Sequence, residues 1–132
     1  MQQYEHEHTK RWAESVDSAD AYALVTPEYN YMTTPALVNA LDYVYTEWNH
    51  KPVGIVSYGG VSGGLRAAQP LRLMASTLKM MPIPEGVAIP MAGQIMKDGA
   101  FPSNELIDAS AKTMLDELGI WAKALKPMRQ AG

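Results

Sequence analysis

Two short stretches hold the residues whose types and spacing suit ligand chemistry. The first, Thr26-Pro27-Glu28-Tyr29-Asn30-Tyr31, packs a carboxylate, two phenols and a carboxamide next to a rigid proline. The second, Ser57-Tyr58-Gly59-Gly60-Val61-Ser62-Gly63-Gly64, places four glycines within six residues. Glycines permit positive φ and let backbone N–H groups come close to a flat or anionic ligand. The second stretch matches neither the dinucleotide fingerprint nor the nucleotide-triphosphate loop with its lysine, so a tight turn without a ligand is the competing reading.

Other chemistries fall away on residue type. The sequence has no cysteine, which excludes a disulfide framework, a thiolate zinc site and a cysteine nucleophile. His6 and His8 lie two apart, a spacing that suits an extended metal-ligand pair, but no third ligand is in view and a solvated N-terminal segment is the stronger reading. A small acyl-transfer enzyme fails because no motif places a serine beside His6, His8 or His50. Eleven basic against fourteen acidic residues give a net charge of −3 with no basic stripe, so no nucleic-acid partner is expected. No run of 18 apolar residues exists and the first eight residues are too polar and acidic for a signal peptide, so a soluble cytoplasmic protein without a membrane partner is expected. A length of 132 residues with 47% hydrophobic composition suits one domain.

Both stretches follow short β-rich runs. Ala21–Val25 is nearly continuously apolar, the pattern of a strand covered on both faces, and Val53–Val56 repeats it. Ahead of the first run, Trp12, Val16 and Ala19 recur at helical spacing, predicting a helix from Thr9 to about Ala19. Thr34 caps and Pro35 opens a helix expected to reach Trp48, on a stripe of Leu37, Leu41, Val44 and Trp48 widened by Val38 and Tyr45. That width fits either a deeply buried helix or a subunit interface. A third helix spans Leu65 to about Met80, where Pro70 predicts a kink unless the regular part begins near Ala67. Gly86–Pro90 reads as a third strand, Met91–Pro102 as a surface loop able to cover a neighbouring groove or subunit, and Asn104–Leu125 as a last helix capped by Ser103 or Asn104. The alternation of helix and strand implies an α/β fold with a parallel sheet and helices on both faces.

The run Tyr4 to Trp12, then Ala19-Asp20-Ala21, and above all Pro27-Glu28-Tyr29-Asn30, resembles the NADPH-dependent FMN reductase family, a flavodoxin-like group. Lys51 to Gly60 with Gly63-Gly64-Leu65-Arg66-Ala67 resembles that family's second flavin loop, and Leu115-Asp116-Glu117-Leu118 with Trp121-Ala122 its last helix. The resemblance implies hydride transfer from NADPH through FMN to a small acceptor: a quinone, azo compound, metal oxyanion or flavin. By that resemblance Pro27, Glu28, Tyr29 and Asn30 line one edge of the flavin ring, and Ser57, Tyr58, Gly59 and Gly60 approach its other polar edge. The family's first strand, its serine- and arginine-bearing phosphate loop and its second strand have no counterpart ahead of Tyr4. The expectation is therefore one flavodoxin-like domain over residues 1–132, incomplete at its N-terminus, with about three strands and four helices. Its first strand then forms an exposed edge that invites self-association as a homodimer or homotetramer. Two readings stay open: an FMN-dependent oxidoreductase, and a non-catalytic self-associating remnant that does not hold FMN tightly.

Overall fold

A computed structural model describes residues 3–102 and 104–130. Three parallel strands form the sheet, in the order β1 (Tyr22–Pro27), β2 (Pro52–Tyr58) and β3 (Met81–Ile89). Helix α1 (Glu7–Ser18) precedes β1, α2 (Pro35–Asp42) and α3 (Leu65–Thr77) connect the strands, and α4 (Ala92–Ile95) and α5 (Glu105–Gln130) follow β3. One core lies where α1, α2 and α3 meet one face, around Val16, Leu41, Trp48, Val53, Ile55 and Leu71; a second joins α5 to the other face through Met114 and Leu118 against Ile83 and Val87. The flavodoxin-like α/β layering expected from the sequence is what the chain adopts.

The second helix is shorter than its apolar stripe implies. It ends at Asp42, and a separate 3₁₀ turn spans Thr46–Trp48. The break lets the Trp48 ring turn back against Tyr22 and Trp12, with centroids 4.9 and 6.0 Å away. The orphan carbonyls of the last turn are taken by indoles: Trp12 Nε1 donates to Ala40 O at 2.8 Å and Trp48 Nε1 to Leu41 O at 3.0 Å. Leu41, Val44 and Trp48 are buried, as the stripe requires, whereas Ala36 and Asn39 on α2 and Tyr45 beyond its end are exposed, so the helix is not buried on all sides.

Further boundaries differ from expectation, among them the end of α5, at Gln130 rather than Leu125. Strand β3 starts at Met81 rather than Gly86 and includes Pro82 and Pro84, which an edge strand tolerates because its outer side needs no ladder donor. Arg72 answers the exposed carbonyls there, donating to Ile83 O and, at 3.2 Å, to Pro84 O. Helix α3 starts at Leu65 as expected and runs through Pro70, but ends at Thr77 rather than near Met80. The segment expected as a plain loop holds α4 followed by a tight turn, Lys97 to Ala100, whose central Asp98 and Gly99 both have positive φ. That makes five α-helices among the described residues, not four. Helix α5 is capped by Asn104, whose Oδ1 accepts from the N–H groups of Leu106 and Ile107 at 3.1 Å each. Ser103, the other expected cap, lies outside the described residues.

At the amino ends of the strands a lysine is sealed into the structure. Lys51 is 2% exposed and its Nζ donates to Val16 O at 2.9 Å, Asp17 O at 3.0 Å and Tyr22 Oη at 3.1 Å. A cation on the last carbonyls of α1 also suits the negative end of the helix dipole. Burial lowers the Lys51 pKa and raises that of Tyr22. Nearby, Asp20 ties the far end of α5 to the start of β1 by accepting from Lys126 at 3.2 Å and from Arg129.

Candidate functional site

The carboxyl ends of β1 and β2 lie side by side, Pro27 in register with Tyr58, and the two loops leave from there. Each loop begins by extending the ladder: Glu28 N–H donates to Tyr58 O at 3.0 Å and Gly59 N–H to Ile89 O at 3.2 Å. The first loop is closed twice. At its base the buried hydroxyls of Thr26 and Thr33 meet at 2.7 Å. At its tip Tyr29 and Met32 exchange two backbone hydrogen bonds of 2.9 Å around Asn30 and Tyr31, both at positive φ, the pattern of a type I′ turn. Asparagine tolerates that region; a tyrosine at φ 68° pays for it, at about 1–3 kcal/mol. Tyr29 and Tyr31 stand out at 59% and 63% exposure.

The second loop is shaped from beneath. Ser57 is buried, and its hydroxyl donates to Gly63 O at 2.9 Å. Gly64 sits at φ 80°, and a Cβ there would lie 2.7 Å from Tyr58 N and 2.8 Å from Ser57 Cβ, so only glycine fits. Gly60 is the opposite case, with nothing within 4 Å of the position its Cβ would take. The carbonyls of Gly59 and Gly60 accept from Ala92 N at 3.0 Å and Met91 N at 2.9 Å, which docks α4 against the loop. Between them runs an apolar groove of about 370 Å³ lined by Tyr58, Ile89, Ala92, Gly93, Met96 and Phe101.

One carboxylate joins the two loops. Glu28 Oε2 accepts from Ser62 Oγ at 2.8 Å and from the Arg66 N–H at 3.2 Å, and Oε1 from Arg66 Nη1 at 3.4 Å. The hydrogen bond from Ser62 outweighs desolvation and, with the Arg66 N–H and guanidinium, holds the Glu28 carboxyl below its usual range. The Arg66 guanidinium also lies over the Tyr31 ring, 4.3 Å from its centroid.

All eight residues singled out from the sequence lie in these two adjoining loops. Pro27, Glu28, Tyr29 and Asn30 form the first wall, and Tyr58, Gly59 and Gly60 run along the second with Ser57 supporting it from below. Sequence reasoning missed the pairing of Ser62 and Arg66 with Glu28, which is 34 and 38 residues away. It missed the groove wall of Ala92, Gly93, Met96 and Phe101 except as a segment able to cover a neighbouring groove. The three histidines form no metal cluster among the described residues; His6 and His8 stack on each other with centroids 5.4 Å apart. No helix among those residues is long and apolar enough to cross a membrane.

The surfaces open to a flat ring here are the exposed tyrosines of the first loop, the unobstructed Gly60 and the apolar groove beside Tyr58. Arg66, the cation at the start of α3 beside the two loops, is already paired with Glu28. In solved structures the fold recurs in a flavoenzyme NAD(P)H:(acceptor) oxidoreductase from Paracoccus denitrificans, with a TM-score of 0.68 and 21% identity over 92% of this chain and 69% of that one. An NAD(P)H-dependent FMN reductase of Schizosaccharomyces pombe is 49% identical over 61% of this chain and 40% of its own length. Another from a Nectria species is 36% identical over 96% of this chain and 59% of its own. The chain thus spans about half the length of these curated relatives. Residues 1–94 match the family described as NADPH-dependent FMN reductase. The chain belongs to that family.

Proposed function

We propose that the chain carries the ring-binding side of an NAD(P)H-dependent FMN reductase site, and that the whole protein passes electrons from NADPH through FMN to a small acceptor such as a quinone, azo compound, metal oxyanion or flavin. The observation that carries this reading is the seating of the first loop against the glycine-rich loop at the carboxyl ends of adjacent parallel strands, the place where open α/β sheets bind ligands. When bound, the flavin supplies the redox chemistry, taking a hydride from a reduced nicotinamide and returning electrons to the acceptor. The protein's part is to bind, orient and exclude water. Pro27, Glu28, Tyr29 and Asn30 offer one wall for the ring edge, and Tyr58, Gly59 and Gly60 the other, with Ser57 holding the second wall in place through Gly63. The apolar groove beside Tyr58 would give an apolar acceptor a surface next to the ring.

A second reading has its own observation. Arg66, the cation at the start of α3, is engaged by Glu28 and Tyr31, so the two loops bring no uncommitted cation to the FMN phosphate. Each charge-assisted hydrogen bond lacking there removes about 1.5–3 kcal/mol, roughly ten- to a hundredfold in affinity. The chain would then be a non-catalytic module that associates with itself through β1, which is an edge of the three-stranded sheet, as a homodimer or homotetramer. Purified protein supplied with FMN separates the two. A protein-retained flavin spectrum with FMN-dependent NADPH oxidation is expected; colourless protein without turnover overturns the first reading, and sedimentation then tests the second.

A further inference from the structure

The Glu28 side chain is only 10% exposed, and both of its oxygens are committed to the opposite loop and helix. The reason lies in α3. Its capping position is Gly64, which has no side chain to cap with and no space for one. The first turn of α3 therefore has a free N–H group at Arg66, and Glu28 reaches across from the first loop to accept it, adding negative charge at the positive end of the helix. The guanidinium of the same Arg66 then returns to the first loop, pairing with Glu28 and lying over Tyr31. The first loop thus grips one residue of α3 from two sides.

We propose that the Glu28 carboxylate and Arg66 form a latch that fixes the separation of the two loop walls before a ligand arrives, so that these side-chain groups set the affinity for the flavin ring by positioning the first wall, to which the Glu28 backbone belongs. This rests on the flavin-site reading above. Without the latch the tip of the first loop has only its internal hydrogen bonds between Tyr29 and Met32, and its base is held at Glu28 N–H and at Thr26–Thr33. The tip also has cause to move, because relaxing Tyr31 from φ 68° recovers strain. Stacking under the Arg66 guanidinium is what keeps that tyrosine in place. Preorganisation of this kind lowers the ordering cost charged to binding.

The test compares the full chain with Glu28→Gln, Arg66→Ala and the double variant by three measurements: FMN dissociation constant, urea midpoint of the apoprotein, and amide hydrogen exchange from Tyr29 to Met32. Each single variant is expected to raise the FMN dissociation constant about tenfold, the scale of one charge-assisted hydrogen bond. The double variant is expected to do little more than the larger single, since both break one latch. Exchange at the loop tip speeds up in all three while the urea midpoint stays near wild type. An FMN dissociation constant within twofold of wild type for Glu28→Gln, or fully multiplicative effects in the double, overturns the latch. If the wild-type chain retains no FMN, the flavin reading fails by itself. The latch is then decided by exchange alone: faster exchange at the tip supports it, and unchanged exchange overturns it.

Discussion

The two ends of the same sheet each use one ionised side chain to tie separate elements together, and they do so in opposite ways. At the amino end Lys51 is sealed in, with three oxygens around Nζ and almost no contact with solvent. At the carboxyl end Glu28 bridges two loops, the first of which holds Tyr29 and Tyr31 out in solvent, and its partner Arg66 is half-exposed. An ion buried among fixed carbonyls can only be broken at great cost, whereas one at a loop crest can adjust when a ligand enters. The difference separates a part that holds the fold from a part that shapes a site.

Substitutions sharpen that contrast. Lys51→Met should have the largest effect, about 3 kcal/mol of lost stability by urea denaturation, because it takes the lysine donor from the Asp17 carbonyl and the Tyr22 hydroxyl and leaves the Val16 carbonyl to Tyr22 Oη and the Ala19 N–H. The pH dependence adds a signature. Burial lowers the Lys51 pKa in the fold, so its stabilising contribution is absent at low pH and appears as pH rises through that lowered value towards 10.5. Burial raises the Tyr22 pKa above 10.0, which works the other way: stability present below pH 10 is lost as the pH climbs further. Wild type measured against Lys51→Met and Tyr22→Phe should show a gain up to about pH 10 and a loss beyond it; a flat comparison would break the account of the sealed end.

Gly64→Ala comes next, at about 2–3 kcal/mol by thermal or urea melting, since a methyl group would meet Tyr58 N at 2.7 Å on a backbone at φ 80°. Asp20→Asn should act mainly on the acid limb. The hydrogen bond from Lys126, with the charges of Lys126 and Arg129, holds the Asp20 carboxyl below its usual value, so its contribution exists above about pH 4 and disappears as pH falls through the lowered pKa. An acid-denaturation curve unchanged by the substitution would show that this tie contributes nothing. Gly60→Ala should change stability least, within about 0.5 kcal/mol, because the added methyl meets nothing. On the proposed function it should nevertheless weaken FMN binding measurably, and equal FMN affinity would remove Gly60 from the ring wall.

The layering and both loops were legible in the sequence because each depends on local pattern. Short apolar runs such as Val53–Val56, followed by glycine or proline-led loops and helical stripes, identify strand, crevice and helix without knowledge of partners. What stayed hidden depends on contacts across the fold. The end of α2 at Asp42 is decided by two indoles, one of them 28 residues upstream, competing for its last carbonyls. Prolines 82 and 84 argue against a strand until the edge position of β3 is known. The role of Arg66 follows from Gly64 being unable to cap α3, and that follows from the close approach of Tyr58. None of these facts has a signature within a window of the chain.

The turned-back Trp48 ring has a consequence for how the protein can be watched. Of the three tryptophans, Trp12 and Trp48 lie together in the core under α1 and α2, while Trp121 packs on the opposite face of the sheet with α5. The molecule therefore carries a separate intrinsic fluorophore population on each side of one sheet. Replacing Trp121 by phenylalanine leaves emission from one layer only; removing Trp12 and Trp48 leaves the other. Melting curves recorded on the two variants would show directly whether the layers come apart in a single step or one before the other.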